Sequence, residues 1–222
     1  MRLVLASQGF TSPDIANTVS KLVDKPLKNI NVSIINEAYV AIPSKNDKKW
    51  LINELSLITK YFGGIIDFVN IRAYDKNEIK ERLKDTDIIY IVGGKQFVLP
   101  ELFKQTGFDK ILKELSKEKV IFGTSAGANV LGRQIESSEY WKRRYQINIE
   151  DIANKQLGFV NFNILPHYLR EDHKELDKEF LNSTLKDNPF LVYAITDTQA
   201  VVYDNGNISF VGGNPIIFGK EK

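Results

Sequence analysis

Short β-branched runs alternate along this chain with stretches whose apolar residues recur at helical spacing. The runs Arg2–Ala6, Asn31–Ile35, Ile65–Asn70, Ile88–Val92 and Val120–Phe122 read as strands. Between them, helices are predicted from Ser12-Pro13 onward and over Lys48–Tyr61, Lys76–Lys84, Val98–Gln105 and Asp109–Lys117. Ser12-Pro13 sets the first helix start, because a hydroxyl can cap the free N–H groups and proline has no N–H to leave unpaired at the first helical position. Strand and helix in alternation imply βαβ units and a mostly parallel sheet covered on both faces. The last third changes character. Leu191–Ile195, Ala200–Tyr203 and Ile208–Val211 are separated by turn residues, among them Asp204-Asn205-Gly206-Asn207, which predicts antiparallel strands and a hairpin. No linker, internal repeat or low-complexity stretch divides the chain, so residues 1–222 are expected to form one α/β domain.

The segment Lys119–Val130 carries the most chemistry. An apolar run leads into Gly123-Thr124-Ser125-Ala126-Gly127 and continues in small, helix-compatible residues. G-x-S-x-G between a strand and a helix is the pattern of a nucleophile elbow, a turn tight enough to push the serine oxygen out above the sheet edge. Ser125 is the candidate nucleophile, and the N–H of Ala126, at a helix start, is a candidate oxyanion donor. The plainer reading is a tight crossover without chemistry. In open α/β sheets the ligand lies beyond the carboxyl ends of the strands, so the loop Gly93-Gly94-Lys95-Gln96-Phe97 is expected to meet the elbow. There Gly94 or Lys95 N–H is the second oxyanion candidate, against a bare turn that needs positive φ. The loop matches neither the phosphate-binding nor the dinucleotide-binding glycine pattern.

Composition removes alternatives. The chain has no cysteine, which excludes disulfides, zinc–thiolate sites and a cysteine nucleophile. A net charge of +2, from 30 basic and 28 acidic residues, gives no field that argues for nucleic acid or an anionic membrane. No run of about 18 apolar residues is present and the N-terminal apolar run is short for a signal peptide, so a cytoplasmic protein without a membrane span is expected. No metal or organic cofactor is suggested, and either a monomer or a homodimer fits.

A serine hydrolase that uses imidazole as base must choose between the only histidines, His167 and His173. His167 ends the apolar run Phe159–Pro166, where a strand end can hold it rigidly, whereas His173 sits in a charged stretch that reads as the start of a solvated helix. His167 is therefore the candidate base, against a strand-end histidine with no chemistry. The carboxylate that orients it is sought between Ser125 and His167, among Glu136, Glu139, Glu150 and Asp151, each of which also reads as an ordinary surface charge. Trp141–Tyr145 reads either as a lid over the substrate or as a solvated face.

Gly9-Phe-Thr-Ser-Pro13, Val92-Gly-Gly-Lys-Gln-Phe97, Gly123-Thr-Ser-Ala-Gly-Ala-Asn129, Leu165-Pro-His-Tyr168 and Ala200-Val-Val-Tyr-Asp-Asn-Gly206 together resemble the S51 serine peptidases, the family of aspartyl dipeptidase and cyanophycinase. The resemblance runs through nearly the whole chain. It implies a flavodoxin-like, class I glutamine amidotransferase-like three-layer sandwich, with Ser125 as nucleophile, His167 as base, Gly94 and Ala126 as oxyanion hole and Glu139 as the orienting acid. The implied activity is hydrolysis of short peptides, including dipeptides with N-terminal Asp, through an acyl-enzyme. Lys95 stands where the family has asparagine, and the arginine that aspartyl dipeptidases place after the histidine is missing. Lys95, Gln96 and Arg170 are the candidate substrate contacts, with Lys178, Arg143 and Arg144 as substitutes for the missing charge. The rival reading is an inactive domain of this fold that binds a small acidic metabolite or a protein partner. An α/β-hydrolase fits less well, because Ser125 and His167 are close together in sequence.

Overall fold

The computed structural model describes residues 1–40, 42, 47–95, 97–135, 138–145, 156–183, 185 and 188–220, with only the backbone described at 138, 139, 141 and 145. Its centre is a seven-stranded sheet built from β1 (Arg2–Ala6), β2 (Val32–Ile35), β3 (Ile66–Phe68), β4 (Ile88–Ile91), β5 (Val120–Thr124), β8 (Ala200–Asp204) and β9 (Asn207–Val211). The order is β3-β2-β4-β5-β1-β8-β9. The first five strands of that order run parallel, and β8 and β9 close the edge antiparallel.

The central strands are apolar at successive positions because both of their faces are covered. In β4, Ile89 and Ile91 enter one core, while Ile88 and Tyr90 enter the core on the other side. β1 divides in the same way, with Leu3 and Leu5 on one face and Val4 and Ala6 on the other. Each such aliphatic side chain taken from water contributes roughly 1.5–3 kcal/mol, which makes these strands the rigid platform of the molecule. Helices α1 (Pro13–Val23), α3 (Lys49–Tyr61), α4 (Lys76–Arg82), α5 (Val98–Thr106) and α6 (Phe108–Leu115) supply the covering layers, and a single turn, α2 (Glu37–Val40), follows β2. Their starts are written locally. Ser12 Oγ accepts from Ile15 N–H ahead of Pro13, and Asp75 and Glu78 form a reciprocal capping box at α4.

The hairpin forms where the turn residues place it. Asp204 pairs with Asn207 across a two-residue turn, Asn205-Gly206, both at positive φ (49° and 102°), the geometry that suits the twist of the flanking strands. Leu191–Ile195 does not join it. β7 (Leu191–Ala194) lies in a separate three-stranded sheet of order β10-β7-β6, parallel to β6 (Phe162–Leu165) and antiparallel to β10 (Ile216–Phe218). Two helices cover this small sheet, α8 (Ser138–Tyr145) and α9 (Lys174–Ser183), through a core of Tyr140, Leu165, Phe180, Leu181 and Val192. The charged look of the α9 sequence hides the apolar positions Phe180 and Leu181, which are buried.

Candidate active site

Ser125 occupies the turn between β5 and the short helix α7 (Ala126–Asn129) with φ 49° and ψ −111°. A non-glycine residue there is strained, and such strain persists only where the surroundings hold it. Ser125 N–H donates to Ala6 O at 2.9 Å, while its carbonyl accepts from Ala128 N–H at 3.1 Å and Asn129 N–H at 2.9 Å. The flanking glycines are needed for close approach: a Cβ on Gly127 would stand 2.1 Å from Ile91 O, and one on Gly123 would stand 2.3 Å from Gly127 O. The elbow is thereby pressed against β4, and the loop after β4 reaches the serine. A Cβ on Gly93 would lie 3.2 Å from Ser125 Cβ.

The two oxyanion alternatives in that loop separate on their hydrogen bonds. Lys95 N–H is engaged by Ala38 O at 3.0 Å, and Gly94 adopts φ 141°, where a Cβ would meet Ala38 O at 2.5 Å. Gly94 and Ala126 N–H therefore remain the candidate pair. The Lys95 side chain is exposed, and Gln96 lies outside the described residues.

His167 follows β6 in a turn and takes φ 60°. Its backbone N–H donates to Ser7 Oγ at 2.7 Å, and the next amide, that of Tyr168, donates to Ile195 O at 3.0 Å. The ring spans two partners. Nε2 lies 2.9 Å from Ser125 Oγ, and Nδ1 lies 2.5 Å from Asp197 Oδ1. The side chains of His167 and Asp197 are 15% and 30% exposed, so the line of three groups is largely screened from water but open at one end.

The carboxylate on Nδ1 is a correction to the sequence reading, which looked between Ser125 and His167 and favoured Glu139. The position expected of Glu139 is taken by Asp197, and the order along the chain is Ser, His, Asp. Glu139 belongs to α8, and its side chain, like Glu136, Glu150 and Asp151 as a whole, lies outside the described residues. Sheet topology explains the result: Ala6 of β1 pairs with Thr124 of β5 on one side and with Ala200 of β8 on the other, so the turn before β8 arrives beside the elbow. Thr11 Oγ1 donates to Asp197 O at 2.9 Å, and Thr196 N–H donates to Gln199 Oε1 at 2.8 Å, fixing that turn. The sequence does carry a signal for it, an acid within a Thr-Asp-Thr turn directly after a buried strand.

Burial dominates the electrostatics of His167 and pushes its pKa below the ordinary 6.5; Asp197 pulls the other way, and the charges of Arg170 and Arg144 reinforce the lowering. Burial raises Asp197, but its bonds from His167 and Ser7 and the charges of His167 and Arg170 outweigh this and hold the carboxyl below its usual range. At neutral pH the pair is thus a neutral imidazole beside a carboxylate, the state a general base needs.

The other histidine is used differently. His173 Nδ1 lies 2.9 Å from Asp177 Oδ2, and its Nε2 faces Arg144 Nη2 at 3.3 Å. Arg144 also pairs with Asp177 at 3.1 Å and donates to Pro166 O at 2.6 Å, so it is a buried structural link and no solvated charge. Arg143 pairs with Glu179 and Lys178 with Glu175 on the surface, and Arg170 donates to Asp172 at 2.9 Å. Among the described residues no cluster of His, Asp and Glu is placed to hold a metal ion, and no helix is long and apolar enough to cross a membrane.

Comparisons with known proteins bear on this geometry. An uncharacterized peptidase, Lmo0363, of Listeria monocytogenes is 29% identical over 143 residues, 63% of this chain and 67% of its own. Peptidase E of Haemophilus influenzae is 29% identical over 153 residues, 66% of this chain and 63% of its own. The chain thus spans about two-thirds of the length of the curated relatives it matches. Among solved structures, a protein from Listeria monocytogenes EGD-e superposes with TM-score 0.73 at 23% identity, over 95% of this chain and 97% of its own. A peptidase from an acI-B1 Actinobacterium superposes with TM-score 0.67 at 21% identity, over 96% of this chain and 87% of its own. These two likenesses establish the α/β fold. The sequence profile of peptidase family S51 matches residues 4–211, nearly the whole chain, and with that match this chain belongs to peptidase family S51.

Proposed function

We propose that this S51 peptidase is a serine-type enzyme that hydrolyses short peptides through an acyl-enzyme on Ser125. The observation that carries the reading is the continuous line that starts on the strained elbow serine and runs from Ser125 Oγ through His167 (2.9 Å) to Asp197 (2.5 Å). In the first half of the reaction Ser125 Oγ attacks the scissile carbonyl while His167 Nε2 takes its proton. The imidazolium so formed is stabilised by Asp197 and gives the proton to the leaving amine. Charge that develops on the carbonyl oxygen is met by Gly94 and Ala126 N–H, and the loss of one such donor typically costs about 2.7–4 kcal/mol of barrier. Water then repeats the attack on the acyl-enzyme with His167 as base.

Substrates with an acidic N-terminal residue are the favoured class. Arg170 supports this: its charge acts on both His167 and Asp197, and its side chain is half exposed beside the site. Its partner Asp172 is itself exposed, so a substrate carboxylate can compete for the guanidinium. The test is release of free amino acid from a dipeptide panel weighted toward Asp-X, with Ser125→Ala alongside and a fluorophosphonate adduct read by intact mass. Release and adduct that both vanish in the variant are expected. A folded wild type that neither cleaves any peptide nor takes the label would sink the reading.

A further inference from the structure

Ser7, directly after β1, is fully buried and is not among the groups expected to touch substrate. Its main chain is tied to both sides of the site, since Ser7 N–H donates to Gln199 O at 3.2 Å and Ser7 O accepts from Thr124 Oγ1 at 3.5 Å. The hydroxyl does more. It accepts from His167 N–H at 2.7 Å, and it stands 2.9 Å from Asp197 Oδ1 and 3.5 Å from His167 Nδ1. An amide N–H can only donate, so the hydroxyl must accept there, and it has one proton left to give. Distance and charge send that proton to the carboxylate, the nearer acceptor and the anionic one.

This arrangement decides where the imidazole proton sits. The Ser7 proton favours the ionised form of Asp197, and a carboxylate can only accept, so Nδ1 must be the donor in its 2.5 Å contact with Asp197. Nε2 is then left with a lone pair aimed at the Ser125 hydroxyl 2.9 Å away. The bond from His167 N–H to Ser7 Oγ also braces the His167 backbone in its positive-φ conformation (φ 60°), a region that costs a non-glycine residue free energy. We infer that Ser7 is a positioning residue that, by donating to Asp197 while accepting from the His167 backbone, fixes the imidazole tautomer in which Nε2 is the base for Ser125. The inference rests on the serine-peptidase reading for its kinetic consequence but not for its structural one.

The chain has two histidines, so protein labelled with ¹⁵N-histidine shows two imidazole patterns, and His167→Gln assigns them by loss of one. The wild type is expected to show His167 with a protonated Nδ1 and a bare Nε2 at neutral pH. Ser7→Ala is expected to shift those resonances toward a tautomer mixture and to lower kcat by about 10- to 100-fold, with KM changed less than about twofold. A purely structural role would lower the folded fraction and leave the tautomer of the folded protein alone. Should Ser7→Ala fail to fold, Ser7→Cys keeps the branching and a weak donor at slightly larger size, and the same shift at smaller size is expected. A wild-type tautomer and kcat in the folded variant overturn the inference, as does a wild type protonated on Nε2. If no peptide is cleaved by wild type, the nitrogen shifts still judge Ser7 while the peptidase reading falls separately.

Discussion

The molecule holds two histidine–aspartate pairs whose imidazoles are similarly buried, although Asp197 is 30% exposed and Asp177 not at all. His167 is 15% exposed and bonds Asp197 through Nδ1 at 2.5 Å, and His173 is 12% exposed and bonds Asp177 through Nδ1 at 2.9 Å. They differ in what the other nitrogen meets. For His167 it is the hydroxyl of Ser125, which has a proton to give; for His173 it is a guanidinium nitrogen at 3.3 Å, with the Asp172 carboxylate at 3.4 Å, and neither offers a proton on a nucleophile to take. They differ also in backbone. His167 stands in a turn at positive φ, beside a strained serine, whereas His173 leads into α9 and binds the residue one helical turn ahead. An oriented imidazole is thus not sufficient for chemistry. Under the proposed mechanism, the partner on the second nitrogen separates a base from a brace.

The contrast is open to direct attack. Removal of His167 by alanine substitution is expected to lower kcat by about 10⁶-fold with little loss of stability, while His173→Gln is expected to leave kcat within about threefold and to lower Tm instead. Assaying both on one dipeptide, with melting curves, decides the matter; similar kinetic losses for the two would erase the distinction. The next largest effect belongs to Asp197→Asn, about 10⁴-fold in kcat, because an amide can hold Nδ1 as an acceptor rather than a donor and so reverse the tautomer. In the wild type the lowered pKa of His167 places the acid limb of kcat/KM below pH 6.5, since the imidazole must be neutral to act as base. A pH–rate profile with its acid limb above pH 6.5 would contradict that assignment.

Much of this site can be read from the sequence, and the part that cannot is specific. Ser125 and its glycines announce themselves because a strand-to-helix turn of this tightness has a local residue requirement, met within five positions. His167 could be singled out because only two histidines compete and one of them ends an apolar run. Asp197 escaped because its local signal, an acid within a Thr-Asp-Thr turn after a strand, does not say which residue it will meet. It becomes a partner of His167 only when β8 pairs antiparallel with β1, a contact between the two ends of the chain. The same holds for β7. Its apolar run is visible, but its sheet is chosen by β6 and β10, which lie far from it in sequence. Ser7 belongs to neither category: it is an ordinary serine until its hydroxyl is found between His167 N–H and Asp197.

The pair around His173 is expected to show its role in stability. Asp177 is fully buried and accepts from Tyr140 at 2.8 Å besides pairing with Arg144 and His173. Asp177→Ala leaves the buried Arg144 charge without its carboxylate, which costs about 3–5 kcal/mol and lowers Tm by about 10 °C for a chain of this size. Denaturant unfolding gives the loss directly. A cost under about 1 kcal/mol would show that this pair braces nothing.

Glu54, a carboxyl buried like Asp177, sharpens the comparison with the smallest expected effect. Asp197 and Asp177 each receive two or more donors, whereas among the described residues Glu54 is bonded by the Tyr90 hydroxyl alone, at 2.7 Å, and the residue is 5% exposed. Burial therefore outweighs that one bond, and the Glu54 pKa rises to about 7 from an unfolded value near 4.5. A carboxyl whose folded pKa is raised binds more protons in the native state, so its stabilising contribution is complete below pH 4.5 and fades as pH climbs through about 7. Over that window the change amounts to about 3 kcal/mol. Glu54→Gln keeps the shape and still accepts from Tyr90, but it cannot ionise. His167, whose pKa moves down, acts in the opposite sense in both proteins, so the informative quantity is the difference between wild type and variant in denaturant unfolding at pH 5 and pH 8. The variant is expected to gain on the wild type by about 2–3 kcal/mol between those two values. Equal pH slopes would mean that Glu54 stays charged in the fold, and that a lone tyrosine donor can hold a buried carboxylate as well as the donor set around Asp197 does.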